Sequence, residues 1–317
     1  MNNLKVYKII KLTTTLLLVL LLVECKAENT SEIKKETEAK ENKSTSDCPN
    51  YLLKNKENNW NVSILLDLSD RISETKYPNP TMEYFQRDLG YIQTIATSFL
   101  DHIKTKKMVL MNDYMQLYFE PEPADASINE KAKQLQISFD KNLTQKQINE
   151  FENKYAAIPS EIYSIARSNS TYLGSDTWRF FKDKVKRYCI KECNRNILVI
   201  LTDGYMFHVD SKLKENNRTS YITPKTLRNF GLNTSSWENK MKEKNFGFIP
   251  ANSNLEELEV LVLGVVNHDK KANPYGFDIM KKYWENWFDS MGIKKYQVYG
   301  AELPANMENT INQFLNN

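Results

Sequence analysis

Three runs constrain the fold more than anything else in the chain: "VSILLD" ending at Asp67, "NILVILTDG" over 196–204, and "LEVLVLGVV" over 258–266. Each has the length of a strand and is almost wholly apolar, with no alternation to mark a wet face. Such strands are covered on both sides, the pattern of a mostly parallel sheet between layers of helices. The intervening segments carry helical spacing. Phe85, Leu89, Ile92, Ala96, Phe99 and Ile103 recur every three or four residues, as do Trp178, Phe181, Val185 and Tyr188, and Phe277, Met280, Trp284, Trp287 and Met291. "YQVYG" supplies a further strand and "ANMENTINQFL" a closing helix. Strands alternating with helices predict a three-layer, Rossmann-like α/β fold with six strands.

Two more runs, 107–111 and 115–119, read as strands two and three. The short gap between them predicts an antiparallel hairpin at one edge of the sheet. Helical patterns follow from about Ile128 and from about Thr144, the second with Ile148, Phe151, Tyr155 and Ile158 on one face. Pro159 is expected to interrupt it. Residues 205–255 are rich in turn formers, with a short helix expected near Trp237. They are too many for an ordinary connection and are expected to form a functional loop or small subdomain.

The first 24 residues read as a signal peptide, with Lys5, Lys8 and Lys11 before a short apolar run. That run falls short of the ~20 apolar residues of a membrane-spanning helix. "LLVEC" resembles a bacterial lipobox through Leu22 and Cys25, although Glu24 stands where that motif prefers a small residue. The resemblance implies acylation of Cys25 and anchoring to a membrane of the cell envelope. Residues 25–56 contain few apolar side chains in their first half and read as a solvated tether. The folded domain is expected over 57–317, with 205–255 as a long insertion. An exported compartment permits disulfides. The expected bridge is Cys189–Cys193, or Cys48 with one of them.

A formal net charge of +3 gives no electrostatic reason to expect nucleic acid. No glycine loop of the phosphate-cradling kinds occurs.

Ligands of open α/β sheets bind beyond the carboxyl ends of the strands. Asp67 and Asp203 stand at two such ends. If brought together they would repel, so one would hold a proton or a cation would sit between them. Asp residues there could equally serve as turn or cap anchors, accepting backbone N–H groups. Asp67-x-Ser69, the Gly174-Ser-Asp176-Thr177 loop before a helix, and Thr202-Asp203-Gly204 together resemble a von Willebrand factor A-type domain over about 60–317. The resemblance implies a Mg²⁺ held by Asp67, Ser69, Asp176 or Thr177, and Asp203, completed by a carboxylate of a partner protein. Arg71 replaces a second serine of that pattern, and Asp176 falls where threonine is usual. Arg71 could therefore pair with Asp67 or Asp176 in place of the ion, giving a metal-free scaffold. It could also face outward with Asp70 to bind an acidic group on a partner.

An enzyme is the weaker expectation. A haloacid-dehalogenase-like phosphatase needs a second acid two residues past Asp67, where Ser69 stands and cannot donate a proton at neutral pH. No G-x-S-x-G elbow occurs. The expectation is an exported, membrane-anchored module that binds a protein.

Overall fold

The computed structural model describes residues 48–169 and 172–317. The leader, Cys25 and the tether as far as residue 47 lie outside them. Six strands form the main sheet: β1 (Trp60–Leu66), β2 (Asn112–Phe119), β3 (Ile137–Asp140), β4 (Arg195–Leu201), β8 (Leu258–Val265) and β9 (Lys295–Gly300), in the order β3-β2-β1-β4-β8-β9. All neighbours are parallel except β2 and β3. The fold is thus Rossmann-like and mostly parallel with one antiparallel edge strand, as the three apolar runs predict.

Alternating side chains of the sheet feed two cores. Val62, Ile64 and Leu66 of β1 point to one face, where α1 (Tyr84–Thr105), α2 (Ala126–Gln134), α3 (Gln145–Asn169) and α8 (Pro304–Asn316) cover them. Leu65 points to the other, under the helical run 177–189 (α4) and α7 (Gly276–Ser290). Six buried tryptophan and phenylalanine side chains of α4 and α7 fill that second core: Trp178, Phe180, Phe181, Trp284, Trp287 and Phe288. Complete burial of one such side chain contributes about 1.5–3 kcal/mol. The aromatic stripes read from the sequence are core packing, apart from Tyr188, which is exposed.

The sheet edge differs from expectation in one respect. Residues 108–110 form a 3-10 turn, not a strand, and Met108 and Val109 are exposed. The antiparallel partner of β2 is β3, reached through α2. An apolar run becomes a strand only where a neighbour can take its backbone, and here the first strand-like run lies on the surface at the exit from α1. Pro159 likewise fails to break α3, which runs unbroken through it. The missing N–H costs about 3 kcal/mol in a helix interior, and burial of Phe151, Tyr155, Ile158, Ile162 and Tyr163 around it offsets that.

The 205–255 region is a small subdomain. It holds β5 (Lys214–Glu215), β6 (Arg218–Thr219) and β7 (Gly247–Phe248) as a second sheet, with the helices α5 (Pro224–Asn229) and α6 (Trp237–Lys244). Ile222, Leu227, Leu232, Met241 and Phe248 bury into the α7 side of the core.

The disulfide is Cys48–Cys193, with Cα atoms 5.5 Å apart. Of the expected pairings this is Cys48 with Cys193, and Cys189–Cys193 is excluded. Cys189 is buried at the end of α4, and burial pushes its thiol up to about 12. The bridge and the helical turn Asn50–Leu53 fasten the chain from residue 48 onward to the α/β body. No helix among the described residues is long and apolar enough to cross a membrane.

Candidate functional site

β1 and β4 are adjacent and parallel, with Leu66 opposite Leu201. Their carboxyl ends therefore deliver Asp67 and Asp203 to one edge, at the point where the connections leave the sheet in opposite directions. The Asp67 amide donates to the Leu201 carbonyl, extending the ladder by one residue. Beyond it the chain turns sharply. Asp67 Oδ1 accepts from the Ser69 amide at 2.9 Å, and Oδ2 accepts from the Thr202 hydroxyl at 2.8 Å. Both oxygens of this buried carboxylate are engaged, one by its own loop and one by β4.

Arg71 lies beneath this turn with 1% of its surface exposed. Its Nε donates to the Asp67 carbonyl at 3.0 Å and lies 3.9 Å from Asp67 Oδ2. Its Nη2 donates to the Leu201 carbonyl and to Asp88 of α1. Asp88 also accepts from the Tyr163 hydroxyl of α3 at 2.6 Å. One guanidinium thus ties together β1, β4, α1 and, through Asp88, α3. The positive φ of Gly264 belongs to the same arrangement, because a Cβ there would meet the Thr202 carbonyl at 3.0 Å and Asp88 Oδ1 at 3.8 Å. Burial pushes the Asp67 and Asp88 carboxyls above the usual carboxylate range, and Arg71 pulls each part of the way back. Burial alone would lower the Arg71 guanidinium, but Asp88, Tyr163, Asp67 and Asp203 hold it above its ordinary value.

These contacts correct the outward reading of Arg71: it faces the interior and is committed to backbone carbonyls and a buried acid. Asp70 alone of that pair reaches solvent, where it pairs with Lys76.

Above the turn is a cavity of about 390 Å³, lined by Ser69, Asp70, Tyr77, Asp203, Tyr205 and Phe207 among others. Asp203 Oδ1 accepts from the Tyr205 amide at 3.0 Å, and Oδ2 lies 3.1 Å from His268 Nε2. The His268 ring stacks on Tyr77 with centroids 4.0 Å apart. The second loop joins the cavity through Gly174 and Ser175. Gly174 adopts a φ of +88°, and a Cβ there would meet the Phe207 carbonyl at 2.3 Å, so glycine lets this loop bridge to the subdomain.

Asp176 and Thr177 have other tasks. Asp176 caps α4 by accepting from the Arg179 amide, and its Oδ2 accepts from the Ser211 hydroxyl and faces His208 at 3.5 Å. Thr177 is buried as the first residue of α4. The structure therefore gathers Asp67, Ser69 and Asp203 but turns Asp176 toward the 208–211 turn.

A divalent ion wants several oxygens free to converge on it. Asp67 has both oxygens engaged, Asp203 has both engaged, Asp176 is a cap, and a full positive charge already sits within 3.9 Å of Asp67. Among the described residues no group of three or more His, Cys, Asp or Glu is placed to hold a metal ion. The positive charge that faces Asp67 here is the guanidinium of Arg71.

Sequence reasoning missed Asp88, Tyr163, His268 and the tyrosines of the cavity, and it quoted Thr202 in a motif without giving its hydroxyl a partner. Asp88 carried a signal: it lies three residues after Phe85 and four before Ile92, on the apolar face of α1, where an acid needs a partner. His268 carried none.

No known family profile and no curated protein matches the chain. Among solved structures it is similar to an aerotolerance-related membrane protein of Bacteroides fragilis NCTC 9343 carrying multiple mutations to serine. Identity there is 12%, coverage 80% of this chain and 98% of that one, and the TM-score 0.33. A conserved hypothetical protein BatB of Bacteroides thetaiotaomicron gives 12% identity, 80% and 96% coverage and a TM-score of 0.36. The pilus adhesin SpaC of Lactobacillus rhamnosus GG in its open conformation gives 12%, 82% and 30% coverage and 0.35. The α/β assignment rests on strand order and register, not on these likenesses.

Proposed function

We propose that this chain is an exported, lipid-anchored binding module that engages a partner protein at the edge where β1 and β4 end, with the buried guanidinium of Arg71 in place of a metal ion. The observation that carries this is the placement of Arg71: fully interior, with donors on two strand ends and on Asp88. It neutralises Asp67 from below and fixes the loop whose upper side, Ser69 and Asp70, opens to the cavity. A preformed concave site with aromatic walls at a strand-order reversal is suited to recognition. The subdomain supplies one wall through Tyr205, Phe207 and Val209 and so sets which partners fit. Binding without catalysis accords with Ser69 standing where a phosphatase of this sheet type would carry its acid. Export and anchoring rest on the leader and Cys25.

Photo-crosslinking tests this. A photoreactive residue at Val209, which is 71% exposed on the cavity rim, is expected to capture a protein equally well with EDTA or magnesium, and not when Ser175→Trp fills the cavity. Capture that requires magnesium, or that is as strong from Met108 in the surface turn after α1, would overturn it.

A further inference from the structure

We propose that the cavity receives a lysine or arginine side chain of the partner, resting on the metal-independent site proposed above. The chemistry of its walls points to a cation. Two carboxylates, Asp70 and Asp203, and the rings of Tyr77, Tyr205 and Phe207 face it. Among the described residues that line it, none is Lys, Arg or His. The charge count at this edge is also unbalanced. Asp67, Asp70, Asp88 and Asp203 are faced by two full cations, Arg71 and Lys76, and by the imidazole of His268. Arg71 is spent below the floor on Asp67 and Asp88, so the open side of the site is negative.

The chain already shows how a cation sits here. Lys76 pairs with Asp70 and places its ammonium 5.2 Å from the centroid of Tyr77. An incoming cation would meet the same two elements, a carboxylate and a tyrosine face, with Asp203 behind them. The rim suits the rest of such a side chain: Leu173, Phe207 and Val209 are exposed apolar residues lining the mouth. A lysine or arginine carries a long aliphatic stem below its charge and packs against a rim of this kind. The polarity is thus the reverse of a metal-centred site, which would take a carboxylate.

The test is an NMR titration of the ¹⁵N-labelled 48–317 body joined to its own tether, in EDTA. The probes are glycine-serine peptides that differ only in one central residue: arginine, lysine, norleucine or glutamate. The arginine and lysine peptides are expected to shift the amides of Asp70, Tyr77, Asp203 and Tyr205, and the other two are not. Asp203→Asn, which keeps the size of the side chain, is expected to weaken binding roughly tenfold. Asp70→Asn, at a solvent-exposed position that leaves the core untouched, is expected to weaken it as well. Lys76→Met removes the internal competitor and is expected to tighten binding roughly two- to fivefold. Equal binding of the norleucine peptide, no binding of any peptide at millimolar concentration, or indifference to both Asp variants would overturn the proposal. Binding of the glutamate peptide in EDTA would overturn it while leaving a metal-independent site. Binding of that peptide only with magnesium would overturn both.

Discussion

Arg71 and Asp88 form a buried ion pair between the loop after β1 and the N-terminal part of α1, and Tyr163 and the Leu201 carbonyl complete its hydrogen bonding. Removing one partner of such a pair strands the other in the interior. Arg71→Met is expected to destabilise the fold by about 3–5 kcal/mol, because it leaves both Asp67 and Asp88 uncompensated. Tyr163→Phe removes a single hydrogen bond to a charged group and is expected to cost about 1.5–3 kcal/mol. Urea unfolding of both variants checks the order. Equal and small effects would show that the pair contributes little.

The pH dependence of Arg71→Met follows from the same pair. Asp67 and Asp88 are held above the ordinary value of 3.8 by burial, with Arg71 opposing the rise. An acid with a raised folded pKa binds its proton more tightly folded than unfolded, so its protonation favours folding below that raised value and the advantage is lost as pH rises through it. Deleting Arg71 raises both groups further. The deficit of the variant against the parent is expected to be greatest at neutral pH and to narrow at mildly acidic pH. A deficit that widens on acidification would contradict the assignment of Arg71 as their counter-charge.

The Cys48–Cys193 bridge closes a loop with a sequence separation of 145. Peptide mapping without reduction is expected to recover these two cysteines linked. Cys48→Ser with Cys193→Ser is expected to lose about 2–5 kcal/mol of stability, measured by denaturant unfolding. Cys189→Ala should leave the bridge intact.

Cys25→Ala is expected to abolish incorporation of labelled fatty acid and to release the protein from the membrane fraction. Continued labelling of that variant would exclude Cys25 as the acylated residue.

The central strands were legible because β1, β4 and β8 are buried on both faces, and burial writes itself as an apolar run. The edge was not. The 107–111 run has the composition of a strand, yet among the described residues no strand pairs with it, and a single sequence does not display neighbours. Asp67, Ser69 and Asp203 were legible as a group because each lies just past the end of a strand, and parallel strands carry their ends to one side. Asp176 was ambiguous because a helix cap and a metal ligand look the same in sequence: an acid just before a helix. Its Arg179 amide and Ser211 partners become visible only in three dimensions. Arg71 stood in full view, but whether it points in or out depends on Asp88, Tyr163 and Leu201, which lie far along the chain. The disulfide turned on the same limit, since Cys189 is nearer to Cys193 in sequence but faces the core.

The most direct measurement is isothermal titration of Mg²⁺ into the protein, with thermal melting in EDTA and in excess magnesium alongside. A site whose positive charge is Arg71 predicts no binding heat beyond dilution and the same melting temperature in both conditions. A saturable heat with a matching rise in melting temperature, both lost in Asp203→Ala, would show that a metal ion and not the arginine organises this edge.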